Sequence, residues 1–105
     1  MTQLQDHDPY TTMFRALRDY SDPDVTPPPG AAASIARAIT RLRSANAPEQ
    51  HVAIAEQASL GAHRLYWAVI ERDAARAAEI REDFGNLLEA WLDTSAGSEV
   101  AVVLN

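Results

Sequence analysis

Three histidines, at positions 7, 51 and 63, are the side chains of this sequence best suited to acid–base or metal chemistry. Glu56 and His63 are seven residues apart, which places them two turns from each other on one face of a continuous helix. With His51 they could form a metal site. However, the chain lacks the Glu-x-x-His pairs of di-iron bundles and the His-Glu-x-x-His motif of zinc enzymes. We therefore expect the histidines to lie at the surface or in an interface, and we predict no metal site.

The remaining side chains offer no other catalytic arrangement. The acidic residues include two close pairs, Glu71 with Asp73 and Glu82 with Asp83. No acid is isolated on an apolar face, where burial would raise its pKa for general acid catalysis. The absence of cysteine excludes disulfides, thiolate metal ligands and cysteine nucleophiles. The four glycines are scattered and form no phosphate-binding loop. We therefore predict a protein that is not an enzyme and needs no cofactor.

The length and composition favour a single all-α domain that spans residues 1–105. Hydrophobic residues make up 47% of the chain, and twenty residues are alanine, which has the highest helix propensity. All nine basic residues are arginine, which fits a GC-rich, bacterial-type composition. The start, MTQLQDHDPY, has neither the basic nor the apolar region of a signal peptide, and no apolar run reaches the ~20 residues of a membrane span. We expect a cytoplasmic protein.

The net charge of −6 is unfavourable for contact with phosphate backbones and anionic membranes. Its distribution is uneven, however. Residues 31–81 carry seven arginines and five acids, whereas residues 82–105 carry five acids and no base. The middle of the chain could therefore still face an anion. Nucleic acid is a disfavoured partner that stays open, and we expect no membrane partner.

The first third of the chain combines one helix with one linker. Residues 1–8 are polar and predicted to be flexible. Asp8 is a suitable N-cap for a first helix over about 9–20, with Pro9 at the first helical position. Residues 21–30, SDPDVTPPPG, contain four prolines and cannot be helical. We interpret them as a linker across the bundle, rather than as a proline-rich ligand for a partner.

Further helices are predicted after the linker. The second covers about 31–45, with apolar residues on one face and three arginines on or near the other. The chain from 49 to 93 has no proline, and as one helix of roughly 68 Å it would project far beyond a compact chain of this length. We therefore predict breaks at 59–61 and at 85–86, with Gly85 in the left-handed conformation that ends a helix. The result is a small bundle of about four to five helices, the last three at about 48–58, 62–84 and 86–94.

The tail, residues 95–105, differs from the helical part. It contains the short apolar run Val100-Ala101-Val102-Val103-Leu104, which favours a β-strand. The run could add to another chain as a strand or pack on the bundle, and both alternatives stay open. Pairing of the tail with its own copy would favour a dimer.

Residues 54–66, with the pattern I-A-x-x-A-S-L-G-x-x-x-L-Y, resemble the helix-turn-helix of TetR-type transcriptional regulators. The resemblance implies that Ser-Leu-Gly forms the turn and that His63, Arg64 and Tyr66 project from a recognition helix towards DNA. The pattern departs from the family where Ser59 replaces the turn glycine. The capping serine and the basic residue after the recognition helix are also missing.

Two functions follow from these patterns. The first is protein–protein interaction, either as a homodimer or as a small subunit or adaptor of a larger assembly. The alternative is a small DNA-binding regulator that uses residues 50–69. Large aromatic and aliphatic side chains are typical anchors of protein interfaces. For the first function we predict the following interface residues: Tyr66, Trp67, Ile70, Phe84, Leu88, Trp91, Val102 and Leu104.

Overall fold

The computed structural model describes residues 8–94, which form four α-helices and no strand. The all-helical prediction is thereby confirmed for this part of the chain. Each helix packs against its neighbours in sequence, and the fourth closes the ring by packing against the first. The helices are α1 (Pro9–Tyr20), α2 (Ala31–Ser44), α3 (Glu49–Ile70) and α4 (Ala74–Leu92).

Neighbouring helices run in opposite directions. At one end of the bundle, Tyr10 from the start of α1 meets His51 from the start of α3 and Trp91 from the end of α4. The end of α2 lies at the same end, because only residues 45–48 connect it to α3. The described chain is therefore an up-and-down bundle with two short turns and one longer connection.

Helices α1 and α2 have the predicted boundaries to within one residue. The Asp8 side chain accepts hydrogen bonds from two backbone N–H groups, at 3.0 and 3.3 Å, and Pro9 lies in the first turn. Both helices bury one apolar stripe, as their spacing predicts. The buried stripes include Met13, Phe14 and Leu17 in α1, and Ile35, Ile39 and Leu42 in α2.

The two breaks predicted in the proline-free segment are wrong. Helix α3 continues through 59–61 and α4 continues through 85–86, so the helix boundaries based on those breaks are wrong as well. Gly85 does not have the left-handed conformation, since no glycine of the described chain has a positive φ. At Gly61, the missing side chain allows close packing, because a Cβ there would lie 3.1 Å from Cζ of Phe84. Packing thus outweighs the low helix propensity of glycine.

The turn between α3 and α4 is a Schellman motif that the sequence pattern did not predict. The N–H of Arg72 donates to the carbonyl of Val69 at 3.1 Å, and the N–H of Asp73 donates to that of Ala68 at 2.9 Å. Arg72 has a φ of 59°, in the position where glycine is usual. Asp73 then caps α4 by accepting from the N–H of Arg76 at 3.1 Å. An arginine in the glycine position explains why the pattern did not predict this stop.

The connection between α1 and α2 contains no helix and is attached to α4. Nη1 of Arg81 donates to the carbonyl of Asp22 at 2.6 Å and to that of Val25 at 2.8 Å. Pro27 is almost fully buried. One arginine of α4 therefore fixes the path of the connection along the bundle.

Candidate functional site

Helix α3 extends past its neighbour α2, and this overhang carries the candidate site. The hydroxyl of Ser59 donates to the carbonyl of Ala32 at 3.2 Å, and Ala32 is the second residue of α2. Because the two helices are antiparallel, residues 60–70 run beyond the start of α2. They form about 16 Å of helix that α2 does not cover.

The overhang contains the large hydrophobic side chains that the described part of the chain exposes. Leu60 is 51% exposed, Trp67 46% and Ile70 51%. Their spacing places them along one side of the helix. Tyr66 is half-buried, and its ring packs edge-on against that of Trp67, with the centroids 5.5 Å apart. We call Leu60, Tyr66, Trp67 and Ile70 the exposed α3 face.

A groove between α3 and α4 adjoins the exposed α3 face at Leu60. Its volume is about 330 Å³. Its floor is apolar, because Ile80 and Phe84 are buried there and Gly61 adds no polar group. The groove therefore extends the apolar surface of the overhang from α3 towards α4.

The groove carries one cation and one anion on opposite walls. Arg64 lies on the α3 wall and Asp83 on the α4 wall, and the amide side chains of Gln57 and Asn86 line it as well. Both charged side chains are exposed. Among residues 8–94, neither Arg64 nor Asp83 finds an ion-pair or hydrogen-bond partner. Both charges are thus available to a molecule that binds at the groove.

The structure divides the predicted interface residues between the surface and the core. It brings Tyr66, Trp67 and Ile70 together on the exposed α3 face. Phe84 and Trp91 are instead buried, at 1% and 0% exposure. This corrects their predicted place in a contact surface, because their rings already pack against Tyr20 and Tyr10 inside the bundle. Aromatic type alone did not distinguish a core residue from an interface residue.

The other predicted interface residues add little to the exposed α3 face. Leu88 is half-buried on α4, and Val102 and Leu104 lie outside the described residues. Leu60 belongs to the face but was not among the predicted interface residues, because the helix-turn-helix interpretation placed it in a turn. The seven-residue spacing between Leu60 and Trp67 would have placed both residues on one side of a helix. This spacing applies only if the helix continues through Gly61.

The residues predicted to contact DNA lie within one continuous helix. Residues 54–66 form part of α3 without a turn, so the two-helix geometry that the TetR resemblance implies is not formed there. His63 and Arg64 are exposed, and Tyr66 is half-buried. These side chains are accessible, but no separate recognition helix presents them.

His51 lies apart from Glu56 and His63, the two residues that were considered with it for a metal site. It is 6% exposed, which corrects the expectation of a surface position, because its ring packs against Tyr10 and Trp91. Glu56 and His63 lie on the exposed side of α3. No group of three potential metal ligands occurs among the residues that the structure describes. His51 instead pairs with Tyr10, whose hydroxyl is 2.9 Å from Nδ1. Burial lowers the pKa of His51, which favours the neutral ring, and the tautomer of that ring determines which of the two groups donates.

None of the described helices has both the length and the apolar character needed to cross a membrane. Comparisons with known protein families, with curated proteins and with solved structures give no significant match. The chain is therefore classified by its own fold and site, as a small helical bundle with an apolar face on an overhanging helix.

Proposed function

We propose that this protein acts in the cytoplasm, without catalysis, by binding a protein partner through the exposed α3 face. One observation carries the proposal: Leu60, Trp67 and Ile70 are each about half exposed and lie within the overhang of a single helix. Single exposed apolar side chains are common on proteins, whereas clusters of them mark interaction sites. Tryptophan is also among the residues that most often dominate binding energy.

The exposed apolar side chains contribute a moderate part of the free energy of binding. Complete burial of a large apolar side chain contributes about 1.5–3 kcal/mol. Burial of the exposed half of these three side chains therefore contributes about 2–4 kcal/mol. Because 1.4 kcal/mol is about a tenfold change in affinity, we expect removal of the Trp67 ring to weaken binding by about threefold to tenfold.

Photo-crosslinking in the cells that produce the protein tests this proposal. A photoreactive amino acid at position 67 of the full-length chain should form covalent adducts with a small set of defined proteins, a second copy included. The matched control carries the same group at Arg37, which is exposed on α2 outside the exposed α3 face. Equal adducts at both positions, or none at position 67, would contradict the proposal.

DNA binding through residues 50–69 is the competing proposal. The continuous α3 and the net charge of −6 favour protein binding over it, since affinity for DNA comes largely from neutralised phosphates. Fluorescence anisotropy with random duplex DNA, at about 50 and 200 mM salt, separates the two proposals. Salt-sensitive binding that is lost in Arg64→Ala would favour the DNA proposal, and no binding at low salt would rule it out.

A further inference from the structure

We propose that the partner of the exposed α3 face is a second copy of this chain, related by a two-fold axis, with Arg64 of each copy paired with Asp83 of the other. The inference rests on the proposed function and identifies its partner. The arrangement that carries it is one unpaired cation and one unpaired anion on opposite walls of the groove beside the exposed α3 face.

A two-fold interface must be complementary to itself, because the same patch lies on both sides of it. A patch with charges of one sign repels its own copy, whereas a patch with one cation and one anion forms two equivalent ion pairs. Arg64 and Asp83 meet this condition. Both are exposed, and they lie on different helices, so each can face the opposite charge across the axis.

The spacing along α3 fits an antiparallel pairing of the two α3 helices. Leu60, Arg64 and Trp67 follow at intervals of four and three residues, and therefore lie on one side of the helix. In an antiparallel pair, Leu60 of each copy lies opposite Trp67 of the other. Arg64 is then close to the axis, and its long side chain can reach the α4 wall of the other copy, where Asp83 lies.

The available area fits a weak but specific dimer. With Leu60 of each copy opposite Trp67 of the other, the two α3 helices overlap over residues 57–70, which is about 21 Å of helix. A strip of that length and two packed helices wide, roughly 20 Å, offers about 400 Å² on each copy. A standard interface covers about 800 Å² on each partner. The proposed interface is about half that size, and we therefore expect a weak dimer that forms at high protein concentration.

Two charge-reversal variants of the full-length chain test the pairing. The symmetric dimer has two equivalent contacts between positions 64 and 83. In Arg64→Glu, each contact places a glutamate against Asp83, and in Asp83→Arg, each contact places an arginine against Arg64. Each variant alone should dimerise at least about tenfold more weakly than the wild type in sedimentation velocity. An equimolar mixture should recover wild-type affinity to within about threefold, because both ion pairs of the mixed dimer again join opposite charges. Native mass spectrometry identifies that dimer by its mass.

The mixture of the two charge-reversal variants shows whether positions 64 and 83 pair between copies, because a disturbance within one copy would not be corrected by the other. Arg37→Glu serves as the matched control, since it reverses an exposed charge outside the groove and should leave the dimer unchanged. The neutral variants Arg64→Gln and Asp83→Asn provide a second test and should weaken the dimer about threefold. Circular dichroism establishes that each variant is folded.

Three results would overturn the inference. The first is a wild-type chain that stays monomeric at high concentration, and the second is a dimer that neither charge reversal weakens. The third is a pair of weakened variants whose mixture does not recover. If position 67 still forms adducts with a different protein in the first case, the proposed function stands and only the identity of the partner is wrong.

Discussion

Alanine at Gly61 and alanine at Gly85 should change the stability of the bundle in opposite directions. Both glycines lie inside helices, where alanine is favoured over glycine by about 0.5–1 kcal/mol. At Gly85, an added Cβ would meet no atom within 4 Å. Gly85→Ala should therefore raise the free energy of unfolding by about 0.5–1 kcal/mol.

At Gly61, the same gain is opposed by a steric cost. The added Cβ would lie 3.1 Å from Cζ and 3.2 Å from Cε2 of Phe84. The Phe84 ring is 1% exposed and packs against Tyr20, so moving it away from Gly61 would disturb that packing. Overpacking of this kind costs about 1–3 kcal/mol. We therefore expect Gly61→Ala to lower the free energy of unfolding by up to about 2 kcal/mol.

Urea unfolding followed by circular dichroism measures both variants against the wild type. The two alanine variants should differ by about 1–3 kcal/mol, or several degrees in Tm for a domain of this size. The double variant Gly61→Ala/Phe84→Leu provides a control, because a smaller side chain at position 84 removes the clash. If Gly61→Ala stabilised the protein as much as Gly85→Ala, the close packing of Phe84 on α3 would be refuted.

Three further predictions concern single residues. Burial lowers the folded-state pKa of His51 below its usual 6.5. As the pH falls through 6.5, the unfolded chain therefore binds more protons than the folded one, and the free energy of unfolding should decrease. When the free energy of unfolding is measured against pH, His51→Gln should show less of this decrease. Arg72→Gly should stabilise the protein by about 0.5–1 kcal/mol in urea unfolding, because glycine adopts a positive φ without strain, whereas Arg76→Gly, in the first turn of α4, should destabilise it. Arg81→Met should cost about 1.5–3 kcal/mol, since it removes charge-assisted hydrogen bonds to the α1–α2 connection, and proteolysis should then cut that connection faster; an unchanged cleavage rate would contradict the anchoring role.

The parts of the fold that the sequence predicted are those with complete local signals. An aspartate followed by proline determines the start of α1, and the apolar spacing of α1 and α2 determines which sides are buried. Arg72 shows where local signals fail, because the backbone hydrogen bonds of its turn form with a residue that normally disfavours a positive φ.

The sequence predicted only part of the exposed α3 face, because apolar spacing does not show what covers a side chain. The sequence predicted that Tyr66, Trp67 and Ile70 belong to an interface, but it grouped them with Phe84 and Trp91, which the structure buries. A large apolar side chain has the same pattern whether its partner is its own bundle or another protein. The exposed residues differ from the buried ones in that they lie where α3 extends beyond α2. The relative lengths of the two helices depend on tertiary packing and cannot be read from the local pattern.

The continuity of α3 at Gly61 links the fold to the proposed function. A turn at this glycine would give a helix-turn-helix, with Leu60 in the turn and His63 and Arg64 on a second helix. The ring of Phe84 instead lies against Gly61, and the helix continues for nine more residues, to Ile70. This extension carries Trp67 and Ile70 beyond the start of α2, in line with Leu60. One contact between a glycine and a buried aromatic ring therefore favours an apolar face for protein binding over a DNA-reading motif.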